Sequence, residues 1–442
     1  MKKIALEIKD LKVAHSRMDE NVNEWVGRFL YKTNRTDLIL KNINLSVYED
    51  EILGLVGESG CGKSVTVKSI FGMVNFSPGI LSGEINYFNQ EGNKVSLLDY
   101  PDAQNHLENK TYGESVKYNE LKHTFDSKQS SDDEILQEWI YNENLDFTDK
   151  DSLETDSDIN RFKVLNREHV FPGNLSEHIE ANFKTQKNEG NVLAGKELSI
   201  ILQDPLTFLN PHWSIRTQIR NLYNLFSPKQ RKKSMPGVHE MAHLQKTQRI
   251  LKDLRIDTSE FLDKLPGELS GGQAQRVMIV LSRMSNPHLL IADEPTTGLD
   301  VTLKKRVVDF FRERNNPMIF ISHDLNMVRM VSDRINIMYY GEIVENCESK
   351  SFKPGLLHHP FTEKLVSVFY TDYSEYIDKE LPSKQEMKNY HGCGYALQGC
   401  PHVTDICKKI SPPAIDIEKK EFIKDNETEK HWAKCWKFMY EK

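Results

Sequence analysis

The chain has 442 residues, enough for one large domain with additions or for two to three ordinary domains, and enough to bury a sizeable core. Hydrophobic residues make up 38% and charged residues 28%, and no stretch approaches the roughly 18 uncharged apolar residues of a membrane-spanning helix. A net charge of −7 argues against general nucleic-acid binding, which relies on a basic face.

In chain order, the opening Met1-Lys-Lys-Ile-Ala-Leu-Glu-Ile-Lys-Asp10 interrupts its apolar run with charge, which suits a first strand rather than a secretory signal and leads us to expect a cytoplasmic chain. Glu51-Ile-Leu-Gly-Leu-Val56 reads as a buried strand, and Val65–Val74 as an apolar-periodic helix. Between them Gly57-Glu-Ser-Gly-Cys-Gly-Lys-Ser64 fits G-x-x-x-x-G-K-[ST]. Glycines 57, 60 and 62 permit a tight path that aims several N–H groups at one anion, and the helix that follows adds its positive end. Lys63 then reaches the β- and γ-phosphates and Ser64 ligates Mg²⁺. Glu58, Ser59, Cys61 and Val65 complete the stretch expected around the nucleotide.

From about Asn89 to Gly195 the composition turns polar, and Asp132–Asp158 holds eleven acidic residues against one lysine. This reads as an insertion; Trp139, Tyr141 and Phe147 leave a small folded subdomain and a solvated segment both open. Leu198–Leu202 is a further strand, Gln245–Leu254 is helical, and Leu289–Ala292 and Met318–Ser322 are two more strands. The alternation implies a mainly parallel, doubly wound α/β sheet. Beyond Lys353 the pattern loosens into a separate C-terminal region.

Leu289-Leu-Ile-Ala-Asp-Glu294 carries two acids at the carboxyl end of a strand, the end that faces the ligand crevice in parallel sheets. Asp293 is placed to hold Mg²⁺, and Glu294 to polarise a water for attack on the γ-phosphate. Met318-Ile-Phe-Ile-Ser-His323 ends a second strand in a histidine able to contact the phosphate or that water. Leu269-Ser-Gly-Gly-Gln273 precedes the acids, and its Ser270, Gly271 and Gly272 lead into a helix expected near Gln273, forming another anion site.

With these motifs in this order, the sequence resembles the ATP-binding subunit of an ABC transporter. The resemblance covers about residues 1–88 and 196–442: a Walker A loop at 57–64, a Q-loop at Gln203, the signature at 269–273, Walker B at 289–294, a D-loop at Thr297-Gly-Leu-Asp300 and a switch histidine at His323. It implies a P-loop NTPase cassette with a RecA-like core, an antiparallel β subdomain and a helical signature subdomain, using ATP and Mg²⁺. The implied catalytic residues are Glu294, His323 and Gln203, with Mg²⁺ on Ser64, Gln203 and Asp293 and adenine stacked on Tyr31. In such proteins two cassettes pair head to tail, so that Ser270, Gly271, Gly272, Gln273 and Asp300 serve the ATP held by the partner.

Gln203-Asp-Pro-Leu-Thr-Phe-Leu-Asn-Pro211, Asp293-Glu-Pro-Thr-Thr-Gly-Leu-Asp-Val-Thr302, Met338-Tyr-Tyr-Gly-Glu-Ile-Val-Glu345 and His359-Pro-Phe-Thr362 resemble the oligopeptide and dipeptide importers within that family. The resemblance implies a peripheral subunit at the cytoplasmic face of the membrane. Its implied partners are a second, different ATPase, two permease subunits and an extracellular peptide-binding protein, with no nucleic acid. Import of nickel or another small solute, and a soluble ABC ATPase, are the competing readings. The division of the chain is then 1–88 and 196–353 for the cassette, 89–195 for the insertion and 354–442 for a cysteine-containing extension. Cys393, Cys400, Cys407 and Cys435 are compatible with a [4Fe–4S] cluster, with structural zinc, or with plain packing beside Tyr395, Trp432 and Trp436. Cys61 and Cys347 stand outside that set, with no assigned role.

Overall fold

The computed structural model describes residues 2–18, 34–74, 78–100, 197–226, 247, 250–252, 254–256, 261–284, 286–313, 316–370, 392–423 and 430–440. Two sheets organise them. Strands β1 (Ile4–Met18), β2 (Asn34–Tyr48), β4 (Pro78–Phe88) and β5 (Lys94–Tyr100) form an antiparallel sheet in the order β2-β1-β4-β5. The other sheet has a parallel centre made of β3 (Ile52–Gly57), β6 (Leu198–Ile201), β7 (Leu289–Asp293), β8 (Met318–Ile321) and β9 (Arg334–Tyr339), in the order β9-β3-β8-β7-β6.

The parallel strands are apolar throughout because both of their faces are covered. Side chains alternate across a strand, so each strand feeds two cores. Ile52 and Val56 of β3, Leu290 and Ala292 of β7, and Met318 and Phe320 of β8 join one core. That core also takes in residues of the helices α2 (Ile215–Phe226), α3 (Gly271–Met284), α4 (Val301–Arg312) and α5 (Leu325–Val331). Leu53 and Leu55, Leu289 and Ile291, and Ile319 and Ile321 point the other way, into a core shared with the antiparallel sheet and with Val67 and Ile70 of α1 (Lys63–Ile70). The parallel sheet is therefore the middle layer, and everything that follows its strands emerges along one edge.

The segment read as an insertion from Asn89 begins inside a hairpin. The Asn89 carboxamide accepts the N–H groups of Glu91 (3.1 Å) and Asn93 (2.8 Å), Gly92 takes φ 84, and β5 returns along β4 with Leu97 and Leu98 buried. Its polar turn masked a strand of the antiparallel sheet. Residues 101–196 lie outside the described residues, as does half of 245–254.

The extension after Lys353 continues the central sheet. β10 (Glu342–Glu348) runs antiparallel to β9, and β13 (Trp432–Ala433) pairs with β10 through Glu345↔Ala433 and Asn346↔Trp432. β11 (Ile415–Asp416) and β12 (Glu421–Phe422) complete that edge, and α6 (Pro360–Tyr370), α7 (Gly394–Gln398), α8 (Asp405–Lys409) and α9 (Lys437–Tyr440) pack around it. A buried arginine ties the layers together. Arg334 of β9 forks onto Glu51 (2.8 and 2.9 Å) and also donates to Asn346 and to the Ser46 carbonyl.

Candidate functional site

The register of the parallel strands aligns their carboxyl ends: Gly57 lies opposite Met338, Asp293 opposite Ile321, and Ile201 opposite Ala292. The loop after β3, the acids ending β7, His323 after β8 and Gln203 after β6 therefore share one rim, the rim that binds ligands in open α/β sheets.

At its centre, residues 58–62 wrap the amino end of α1. Gly60 and Gly62 adopt φ 79 and 109, a region that L side chains rarely enter, and Gly62 caps the helix. Space is the second constraint. A Cβ on Gly57 would sit 2.1 Å from the Met338 carbonyl oxygen, and one on Gly62 would sit 2.5 Å from Leu40. Lys63 curls over the loop, its Nζ donating to the carbonyls of Gly57 (2.9 Å) and Glu58 (2.8 Å). Ser59 and Gly60 are exposed, Cys61 is buried, and Val65 packs against the core. Positive-φ glycines, a helix terminus and a lysine on one small concavity fit a polyphosphate.

Asp293 is buried and hydrogen-bonds Ser64; burial raises its pKa while Ser64 and Lys63 act to lower it. This pair joins the end of β7 to the phosphate loop and offers a hydroxyl and a carboxylate, oxygen donors that would suit Mg²⁺. Glu294 has φ 53, unusual for a non-glycine residue, and its carboxylate meets His323. There Oε1 accepts the backbone N–H of His323 (2.8 Å) and Oε2 lies 2.8 Å from His323 Nδ1. Ser322 and Thr297 hydroxyls each approach Oε2 at 3.4 Å. The His323 side chain is 73% exposed, so a carboxylate anchored from below is covered by a ring open to solvent. That arrangement suits a base acting on a water near the γ-phosphate. Motif reading placed Thr297 in the D-loop and Ser322 at a strand end but not against Glu294, because a contact between segments leaves no local pattern. Gln203 is exposed at the end of β6, just before a 3-10 turn (Pro205–Thr207) capped by Asp204.

The Ser270–Gln273 stretch occupies a different place. Helix α3 begins at Gly271, two residues before the start expected near Gln273, because Ser270 and Gln273 form a reciprocal cap: Gln273 N–H donates to Ser270 Oγ (3.3 Å), and Ser270 N–H to Gln273 Oε1 (2.9 Å). Ser270 and Gly271 are exposed, leaving that helix end open to another molecule. Gly272 sits close to the D-loop; a Cβ there would lie 3.1 Å from the Gly298 carbonyl oxygen. Asp300 caps α4 by accepting the Leu303 N–H (3.0 Å).

The four tail cysteines come together although sequence separates them. The Cys393 N–H donates to the Cys407 carbonyl at 2.7 Å, and Cys393, Cys400 and Cys407 are all neighbours of Cys435. The sulfurs of Cys393, Cys400 and Cys435 each accept a backbone N–H two residues on, from Tyr395, His402 and Lys437. Burial pushes the Cys393 thiol up to about 12 and raises Cys400 and Cys435 as well. Tyr31, expected to stack on adenine, lies outside the described residues.

Comparison with known proteins places the chain in a family. The model of the ABC transporter family matches residues 40–177 and 173–297. The dipeptide transport ATP-binding protein DppD of Escherichia coli (strain K12) is 31% identical over 263 residues, covering 55% of this chain and 75% of that protein. The oligopeptide transport ATP-binding protein AppD of Bacillus subtilis (strain 168) is 32% identical over 239 residues, covering 51% of this chain and 68% of AppD. The oligopeptide transport ATP-binding protein OppD of Salmonella typhimurium (strain LT2) is 30% identical over 236 residues, covering 51% and 67%.

Proposed function

This chain belongs to the ABC transporter family, as an ATPase, and from that membership we propose that it energises the import of dipeptides or oligopeptides. The observation that carries the catalytic reading is Glu294, held by the backbone and ring of His323 on the same rim as the Ser64–Asp293 pair. When bound, ATP with Mg²⁺ supplies the phosphoryl group and the ion that neutralises it. Lys63, now bonded to the loop carbonyls, would charge-pair with the β- and γ-phosphates, and Ser64, Asp293 and Gln203 would hold the ion. Glu294 takes the proton of the attacking water at its carboxylate, and the His323 ring keeps that carboxylate aimed.

The open amino end of α3 and the capped Asp300 supply the second half of a nucleotide site in a head-to-tail pair with another cassette. We assign the pairing to a different ATPase subunit, working on two permeases fed by an extracellular peptide-binding protein, at the cytoplasmic face of the membrane. No described helix is long and apolar enough to cross a membrane. The test is purification from membranes with the subunits that accompany this chain, then uptake of labelled di- and tetrapeptides against labelled nickel in vesicles. Peptide uptake that requires ATP is the expected result; isolation with ribosomes or DNA and no permease refutes the reading.

In the same functional reading, Cys393, Cys400, Cys407 and Cys435 hold a [4Fe–4S] cluster. Support comes from the gathering of the four thiols and from N–H donors aimed at three of the sulfurs, which stabilise ligating thiolates. Anaerobic purification should give a brown protein with about four irons per chain; a colourless, iron-free protein removes the cluster.

A further inference from the structure

Away from the rim and the tail cysteines, Glu345, Cys347, His358 and His431 offer ligand atoms that all lie within 4.8 Å of one another. We propose that these four side chains form a structural zinc site that pins the C-terminal extension to the edge of the ATPase sheet.

The ligands come from three parts of the chain. Glu345 and Cys347 are two residues apart on β10 and so face the same side. His358 lies in the connection to α6, and His431 immediately precedes β13, which pairs beside them. Glu345 and Cys347 are fully buried and His358 is 1% exposed, while the His431 side chain keeps 18% exposure and marks the route in. Glu345 Oε1 stands 2.5 Å from His358 Nδ1 and 3.0 Å from His431 Nε2. Its Oε2 accepts the His359 N–H at 2.8 Å, an outer contact that orients the carboxylate.

A hydrogen-bonded carboxylate accounts for those contacts but not for the rest of the cluster. The Cys347 thiol, fully buried and within the same group of ligand atoms, lies outside that hydrogen-bonded set. Two imidazoles, one carboxylate and one thiolate are a tetrahedral donor set suited to Zn²⁺. Their charges cancel: +2 on the ion against −1 on the carboxylate and −1 on the thiolate, with both imidazoles neutral, so the buried site carries no net charge. Binding sends the Cys347 thiol proton to solvent, together with any proton the imidazoles share with Glu345. Zinc bonds of about 2.0–2.3 Å place neighbouring ligand atoms roughly 3.3–3.7 Å apart, so Oε1 and the two nitrogens separate by under about 1 Å.

The test uses the full chain carrying Cys393→Ser, which disables the other cysteine set. After dialysis against a mild chelator, elemental analysis should find one zinc per chain in that background, with affinity lowered beyond the roughly 10- to 100-fold typical of losing an outer contact by adding either Cys347→Ser or His431→Ala. Cobalt(II) substitution should give a thiolate-to-cobalt absorption band that Cys347→Ser abolishes. As a second measurement in the otherwise unaltered chain, a strong chelator should lower Tm, and Cys347→Ser should remove that sensitivity while circular dichroism shows the variant folded. Zinc content unchanged by both substitutions, or no retained zinc and no chelator effect on Tm, overturns the proposal and leaves Glu345 a hydrogen-bonded carboxylate.

Discussion

Replacing Glu294 by glutamine separates chemistry from binding, because the structure isolates what the charge does. The side chain is 10% exposed, and its position is set by the His323 N–H on Oε1, which the glutamine oxygen still accepts, and by the φ of 53 at its own Cα, which the substitution leaves alone. The amide loses the carboxylate charge that faces His323 Nδ1 and the basicity that takes a proton from water. Positioned bases contribute about 10²- to 10⁴-fold, or about 3–5 kcal/mol of barrier, so steady-state phosphate release should fall by that factor. Nucleotide affinity should stay within a few-fold, since Lys63, Ser64 and Asp293 are untouched. The assay pairs phosphate release with nucleotide binding and sedimentation of the subunit purified with its partners, and E294Q should accumulate an ATP-loaded closed dimer. Near-normal turnover, or a loss of ATP binding that matches the loss of turnover, would refute the assignment of Glu294 as the base.

Gly62→Ala places a Cβ 2.5 Å from Leu40 at φ 109, so ATP binding, measured by calorimetry, should be lost even where the protein remains folded. Ser64→Ala removes the Asp293 hydrogen bond together with one ion ligand; ATP affinity should drop at least tenfold with Mg²⁺ present and little without it, as a titration with and without the ion reads out. Ser270→Ala breaks the reciprocal cap of α3 and should cost about 1 kcal/mol in denaturant unfolding while weakening ATP-driven dimerisation. Arg334→Ala leaves Glu51 buried and uncompensated and should cost about 3–5 kcal/mol, seen as a lower denaturant midpoint, whereas a loss under 1 kcal/mol would mean that the layers are held elsewhere.

The nucleotide chemistry was legible in the sequence because it is built from contiguous segments. A phosphate loop needs positive φ at Gly60 and Gly62 and a lysine at the next helix start, and those demands fall within eight adjacent residues. The parallel strands were equally legible: cover on both faces makes them apolar throughout, as in Leu289–Asp293. Strand β5 was not, since its polar Asn89–Asn93 turn resembles the segment that follows, and the start of α3 was misplaced because Ser270 and Gln273 cap each other across the helix end. Contacts between distant segments belonged to tertiary structure alone. The Ser64–Asp293 hydrogen bond spans 229 positions, and the Glu294–His323 pair comes with a positive φ at Glu294 that no residue type announces. Cys347, which has no role in the sequence, shares a cluster with His431 because β13 pairs with β10, and with His358 because the connection to α6 folds back onto Glu345. Local backbone demands are written in neighbouring residues, whereas pairing across a sheet is decided by which apolar faces can be buried together.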